Sequence, residues 1–280
     1  MKIFTTVKEL QSELAAARSQ NKTIGLVPTM GALHDGHLSL VAAAKKHCDI
    51  VVVSVFVNPI QFNNAHDLET YPRSVEKDCD LLASAGCDYA FTPSVEEMYP
   101  QPVNDRYTFG ELETVMEGPR RPGHFSGVAV VVRRLFDIVQ PQKAFFGEKD
   151  FQQLAIIRNL VKQINYDIEI VPCPIVRADD GLAMSSRNAR LSEENRRMAP
   201  KIHATLAQAA ENRLKLTVED TKKSVLDVFE KDPAFEPEYF EIVDDTTLQP
   251  VGDWNDADGI VGCIAVWMDD VRLIDIIRFK

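Results

Sequence analysis

From Ile24 onward the chain alternates between short apolar runs and segments of helical spacing. The run 24–28 predicts a strand that ends in a turn-forming stretch, and beyond it Leu40, Val41 and Ala44 share one face of a helix. Residues 50–57 are almost continuously β-branched, the pattern of a strand buried on both faces in a parallel sheet flanked by helices. A helix over 75–85, a strand over 89–92, a helix over 127–139, a strand over 143–146, a helix over 151–164 and a strand over 168–171 continue the alternation. Strands interleaved with helices predict an α/β fold, a Rossmann-like doubly wound parallel sheet with right-handed crossovers. Past Val176 the rhythm changes to helices over 193–213 and 218–229, then strands near 239–243, 260–268 and 271–277. Helices followed by grouped strands predict a second, smaller α+β domain, so the expected division is 1–176 and 177–280, joined by a short ordered loop.

Composition narrows the function classes. The 280 residues are 45% hydrophobic and 26% charged, ordinary for a globular chain. A net charge of −11 argues against a general nucleic-acid binder, while leaving room for a local cationic pocket. No apolar run approaches the ~18 residues of a membrane span, and the first residues lack a secretory signal pattern. Five scattered cysteines without a CxxC pair fit reduced thiols, and the expected location is cytoplasmic.

Candidate chemistry collects where predicted strands end. The first corner is PTMGALHDGH at 28–37. A helix N-terminus there offers free N–H groups and a positive dipole end to phosphate, and His34 and His37, three apart, share a helical face. Gly36 between them lets a ligand approach the backbone. Zinc is the competing occupant of an HxxH pair, but the glycine and the missing glutamate after His34 count against it. After the most buried strand come Asn58 and Gln61, amides suited to orienting a small polar substrate. FGEKDFQQL at 146–154 supplies Lys149, a point charge suited to phosphate, and Gln153. There Asp150 reads equally as a helix cap. In MSSRN at 184–188, two hydroxyls precede Arg187, whose guanidinium can grip phosphate in bidentate fashion. The cluster at 120–127, two arginines and His124 before a helix, could bind an anion or pair with acidic neighbours, and reads as mainly structural or as part of an interface.

Six strings in order (PTMGALHDGH, FVNPIQF, YPR, RPGHFSGV, FGEKDFQQL and MSSRN) make the chain similar to the pantothenate synthetase (pantoate–β-alanine ligase) family over nearly its whole length. The resemblance implies a ligase in which pantoate's carboxylate attacks the α-phosphorus of Mg-ATP. Pantoyl adenylate and pyrophosphate form, and the amine of β-alanine then releases AMP and pantothenate. It implies that Met30, Gly31, His34, Gly36, His37, Gly147, Glu148, Lys149, Asp150, Val176, Met184, Ser185, Ser186 and Arg187 bind ATP. His37, His34, Lys149 and Arg187 are the implied catalytic groups. Asn58, Gln61 and Gln153 are expected on pantoate and β-alanine, and Asp78 on Mg²⁺. Residues 1–176 would hold ATP and pantoate, and 177–280 would carry a mobile loop and lid. The implied partners are these small molecules and a second copy of the chain in a homodimer, with no nucleic acid or membrane. The serine-rich loop resembles the KMSKS loop of class I aminoacyl-tRNA synthetases but lacks its two lysines. A cofactor-making nucleotidyltransferase and a non-enzymatic adenine-nucleotide sensor are the rival readings.

Overall fold

The computed structural model describes residues 1–280. Six strands, β1 (Lys2–Phe4), β2 (Ile24–Thr29), β3 (Ile50–Val55), β4 (Tyr89–Phe91), β5 (Lys143–Gly147) and β6 (Glu169–Cys173), form one parallel sheet in the order β1-β4-β3-β2-β5-β6. Chain order runs outward from β2 through β3 and β4 on one side and from β5 to β6 on the other. Such a reversal opens a crevice beyond the carboxyl ends of β2 and β5, the usual ligand position in doubly wound sheets. Every residue of β3 is buried, as its β-branched run predicts. The helix Asp35–His47 packs Leu40, Val41 and Ala44 against this layer, where they join Val27, Val51 and Val53 in one core.

The structure adds β1 and the helix Val7–Ser19 to the expected elements, extends the helix over 127–139 back to His124–Val139, and divides the stretch 193–213. That stretch forms Glu193–Met198 and Lys201–Glu211, parted at Ala199 and Pro200. Proline has no N–H for the helical ladder and its ring crowds the preceding turn, so one continuous helix cannot pass through.

The chain divides into two compact units. The first comprises 1–109, 121–148 and 156–174, and the second 110–120, 149–155 and 175–280. In the second unit, β7 (Glu236–Asp244), β8 (Ile260–Met268) and β9 (Val271–Arg278) make an antiparallel sheet. Phe240, Ile242, Ile264 and Val266 face a core shared with Ile202, Leu206, Val225 and Phe229. The alternate residues Tyr239, Val243, Val261, Cys263 and Ala265 face Met116 and Phe151. Two covered faces explain why β8 is apolar at nearly every position.

A buried ionic network fastens 110–120 to this sheet. Arg272 donates to both oxygens of Glu117 (2.9 and 2.7 Å) and to Glu238, while the Tyr239 hydroxyl donates to Glu117 at 2.6 Å. Burial and the charge of Glu117 push the Tyr239 phenol well above its ordinary pKa, so it stays a donor. Gln152 completes the clamp, donating to the carbonyls of Leu112 and Val115 and accepting from the Glu117 N–H. All five cysteines are free and buried, and no helix is long and apolar enough to cross a membrane.

Candidate active site

The segment after β2 turns sharply before the helix Asp35–His47 begins. Gly31 sits at φ +80° and Ala32 at φ +51°, both in the left-handed region. A Cβ at Gly31 would lie 2.9 Å from an Asp78 oxygen and 3.2 Å from Val55, so glycine is required by backbone angle and by space. Gly31 N–H donates to Thr29 Oγ1, and that hydroxyl donates to the Ser54 carbonyl at 2.6 Å, tying the turn to the ends of β2 and β3.

Asp78, reached from the helix Val75–Ser84, holds the next two residues. Its Oδ2 accepts from Ala32 N–H at 2.9 Å and its Oδ1 from Leu33 N–H at 2.8 Å, in a site where Asp78 is 2% exposed. A carboxylate so enclosed, with both oxygens on backbone donors, does not fit a Mg²⁺ ligand, because that ion keeps several waters around it. No group of three His, Cys, Asp or Glu side chains gathers to hold a metal. Both Asp78 oxygens shape the loop through Ala32 N–H and Leu33 N–H.

His34 is the N-cap of the helix, and its Nδ1 accepts from Gly36 N–H at 3.1 Å. His37 Nδ1 accepts from His34 N–H at 3.3 Å. A backbone N–H can only donate, so Nδ1 is the acceptor nitrogen of each ring and the imidazole proton sits on Nε2. The ring centroids lie 4.1 Å apart. The corner therefore carries two Nε2–H donors at the positive end of a 13-residue helix. Gly147, at the end of β5, pairs with Cys173, and a Cβ there would meet nothing within 4 Å. Glu148 N–H continues the pairing by donating to the Cys173 carbonyl.

Pro59–Gln61 forms a short 3-10 turn after β3, capped by Asn58. Asn58 is fully buried and spends its entire hydrogen-bonding capacity inside the protein. Its Nδ2 donates to Gln61 Oε1 (3.1 Å) and the Gly127 carbonyl (3.2 Å), while its Oδ1 accepts from Ile60 N–H (3.3 Å) and the Tyr99 hydroxyl (2.9 Å). These four bonds use every donor and acceptor of the Asn58 amide and set it against Gln61. Gln61 Nε2 lies 3.1 Å from the Met30 sulfur, bringing the two expected site residues together. The His124 ring, 5% exposed, meets the Gln61 carbonyl through Nδ1 at 2.9 Å.

The remaining expected residues belong to the second unit. Lys149 and Gln153 are half-buried and Asp150 is exposed, its carbonyl accepting from Leu154 N–H at the start of the helix Phe151–Gln163. Residues 176–184 fold as a small hairpin: Arg177 bridges Ala183, Met184 N–H donates to the Val176 carbonyl, and Gly181 turns at φ +92°. Arg177 anchors its base with a bidentate ion pair to Asp275 (2.7 and 2.9 Å). Ser185 caps the 3-10 turn Ser186–Arg190 by accepting from Arg187 N–H, and Asn188 ties that turn back to the Ala183 carbonyl. The hairpin escapes sequence reading because its bridge spans only one residue pair. Gln152 escapes as well, since nothing in the string QQ marks which amide turns inward.

Comparison with known proteins points one way. The family model for pantoate-beta-alanine ligase matches residues 2–278. The chain is 55% identical over 280 residues to a pantothenate synthetase of Bacteroides fragilis, covering all of this chain and 99% of the relative. It is 43% identical to the pantothenate synthetase of Thermus thermophilus, with a TM-score of 0.94 and full coverage of both chains. The pantoate-beta-alanine ligase of Francisella tularensis, whose crystal structure is described as complexed with beta-gamma ATP and beta-alanine, is 35% identical with a TM-score of 0.84, covering 100% of this chain and 98% of that one. From its strand order through its two-histidine corner to these full-length matches, the chain belongs to the pantoate–β-alanine ligase family.

Proposed function

We propose that the chain condenses pantoate with β-alanine at the expense of ATP, through a pantoyl adenylate. In the first step a pantoate carboxylate oxygen bonds to the α-phosphorus of ATP as the α–β bridging P–O bond breaks and pyrophosphate leaves. In the second, the uncharged amine of β-alanine attacks the acyl carbon. The new C–N bond replaces the C–O bond to phosphate, the amine proton is lost, and AMP and pantothenate result. ATP would enter as its magnesium complex, the ion offsetting part of the phosphate charge.

The observation that carries the reading is the corner at 30–37, where two imidazoles are locked through Nδ1 by backbone N–H groups at a helix N-terminus, which leaves the proton of each neutral ring on Nε2. Phosphoryl transfer asks the protein for alignment and charge neutralisation more than for covalent help. Fixed donors perform this without reorganising as charge develops. In this scheme Met30, Gly31, His34, Gly36, His37, Gly147, Glu148, Lys149, Asp150, Val176, Met184, Ser185, Ser186 and Arg187 serve ATP. Gln61 and Gln153 serve pantoate, with Gln61 also near β-alanine. A hydrogen bond from His37 Nε2–H to a phosphate oxygen stabilises the transition state with no proton transferred. Residues 1–176 would hold ATP and pantoate, 177–280 would carry the covering loop, and the chain would act as a homodimer in the cytoplasm.

The deciding experiment supplies ATP and pantoate and follows pyrophosphate and free AMP. Pantoate-dependent pyrophosphate release, with AMP turnover only after β-alanine is added, supports the reading, and turnover indifferent to β-alanine overturns it. Within that assay Arg187→Ala is expected to weaken ATP use far more than β-alanine use. Equal losses for both substrates would remove Arg187 from the nucleotide.

A further inference from the structure

A hydrogen-bond chain in the first unit leads from Tyr99 to the amide of Gln61, and its direction is fixed by two groups that cannot reverse. Ile60 N–H can only donate, so the side-chain atom of Asn58 that meets it is the oxygen. The Gly127 carbonyl can only accept, so the atom that meets it is the nitrogen. The second proton on that nitrogen goes to Gln61, which must therefore turn its own oxygen toward Asn58 and its NH₂ away. Tyr99 donates the remaining hydrogen bond to Asn58 Oδ1 at 2.9 Å. Burial raises the Tyr99 phenol pKa, so its proton is retained. The helix His124–Val139 can come this close only because residue 127 is glycine: a Cβ there would sit 2.7 Å from Gln61 Cα and from the Ile60 carbonyl.

We propose that Tyr99 and Asn58 form a positioning relay that sets the polarity of the Gln61 amide, so that Gln61 presents N–H donors, and not its carbonyl, to the oxygens of the acid substrate. A flipped Gln61 would set its NH₂ against the NH₂ of Asn58 and its carbonyl against the acid, losing one hydrogen bond and creating a repulsion. Neither Tyr99 nor Asn58 touches the acid in this scheme. The inference rests on the reading that Gln61 holds pantoate.

Tyr99→Phe removes the hydroxyl and keeps the ring, which packs edge-on to Phe56 at 6.0 Å between centroids. The expected result is a rise of about five-fold in KM for pantoate, the size of one net hydrogen bond, with KM for ATP unchanged and a melting temperature lower by only a few degrees. Asn58→Asp, which replaces the donor facing Gln61 by an acceptor, is expected to raise the pantoate KM further. A double-mutant cycle separates this relay from general packing, because Tyr99→Phe should add nothing once Gln61→Ala has removed the amide. An unchanged pantoate KM, equal rises for pantoate and ATP, or a full effect persisting in the Gln61→Ala background would each overturn the relay. Absence of pantoate-dependent pyrophosphate release by the unaltered chain would instead overturn the functional reading.

Discussion

His37→Ala is expected to slow adenylate formation by on the order of several hundredfold, the cost of removing one preorganised donor from a site of developing negative charge. The ring does two things at once. Its Nδ1 accepts from His34 N–H and so helps form the helix start, while its proton is carried on Nε2. Two further variants divide these contributions. Asparagine reaches about as far as Nδ1 and can keep the backbone bond without the outer donor. Glutamine places an amide N–H near the position of Nε2 and gives up the cap. If transition-state stabilisation dominates, His37→Gln retains more activity than His37→Asn, and both variants fold, since loss of a cap costs only about 1 kcal/mol. Rapid-quench measurement of adenylate shows which ordering holds. A normal rate in His37→Ala would remove His37 from the chemistry.

The parts of this molecule that were legible in its sequence are those fixed by local period. The β-branched run of β3 and the apolar run of β8 declare themselves, because burial on two faces leaves few polar positions. The helix Val7–Ser19 carries a comparable signal in Leu10, Leu14 and Ala17, yet a reading led by strands passes over it. β1 has three residues, too few for any period to appear. Assignment of 110–120 and 149–155 to the second unit could not be read locally. It depends on Glu117 meeting Arg272 across 155 positions and on Gln152 meeting Leu112 across 40.

The candidate site divides along the same line. Two histidines three apart at a helix start are visible in the string itself, whereas the nitrogen that carries each proton follows only from which backbone N–H groups they meet. Asn58 and Gln61 look alike in sequence as amides at a strand end. Burial and partner count divide them, leaving Gln61 with a donor face and Asn58 with none. Resemblance points Asp78 toward Mg²⁺, whereas its hydrogen bonds to the loop, to partners 45 and 46 residues away, are not legible in the string.

Asp78→Ala tests that last assignment most directly. The substitution takes the shared carboxylate from Ala32 N–H and Leu33 N–H while Gly31 and Ala32 remain in left-handed backbone that needs support. Hydrogen bonds to a charged group contribute about 1.5–3 kcal/mol each, so the expected loss is roughly 3–6 kcal/mol of unfolding free energy by denaturant titration, together with most of the activity. Asp78→Asn should fall between, since one amide oxygen can satisfy one N–H while its NH₂ opposes the other. A metal ligand would behave differently: activity would fall while stability held, and added Mg²⁺ would restore part of the rate. Because the loop carries Met30, Gly31 and the approach to His34, its loosening should lower ATP-dependent turnover at every magnesium concentration. Stability within about 1 kcal/mol of the unaltered chain, combined with rescue by magnesium, would return Asp78 to the metal and leave the turn at Gly31 held by Thr29 alone.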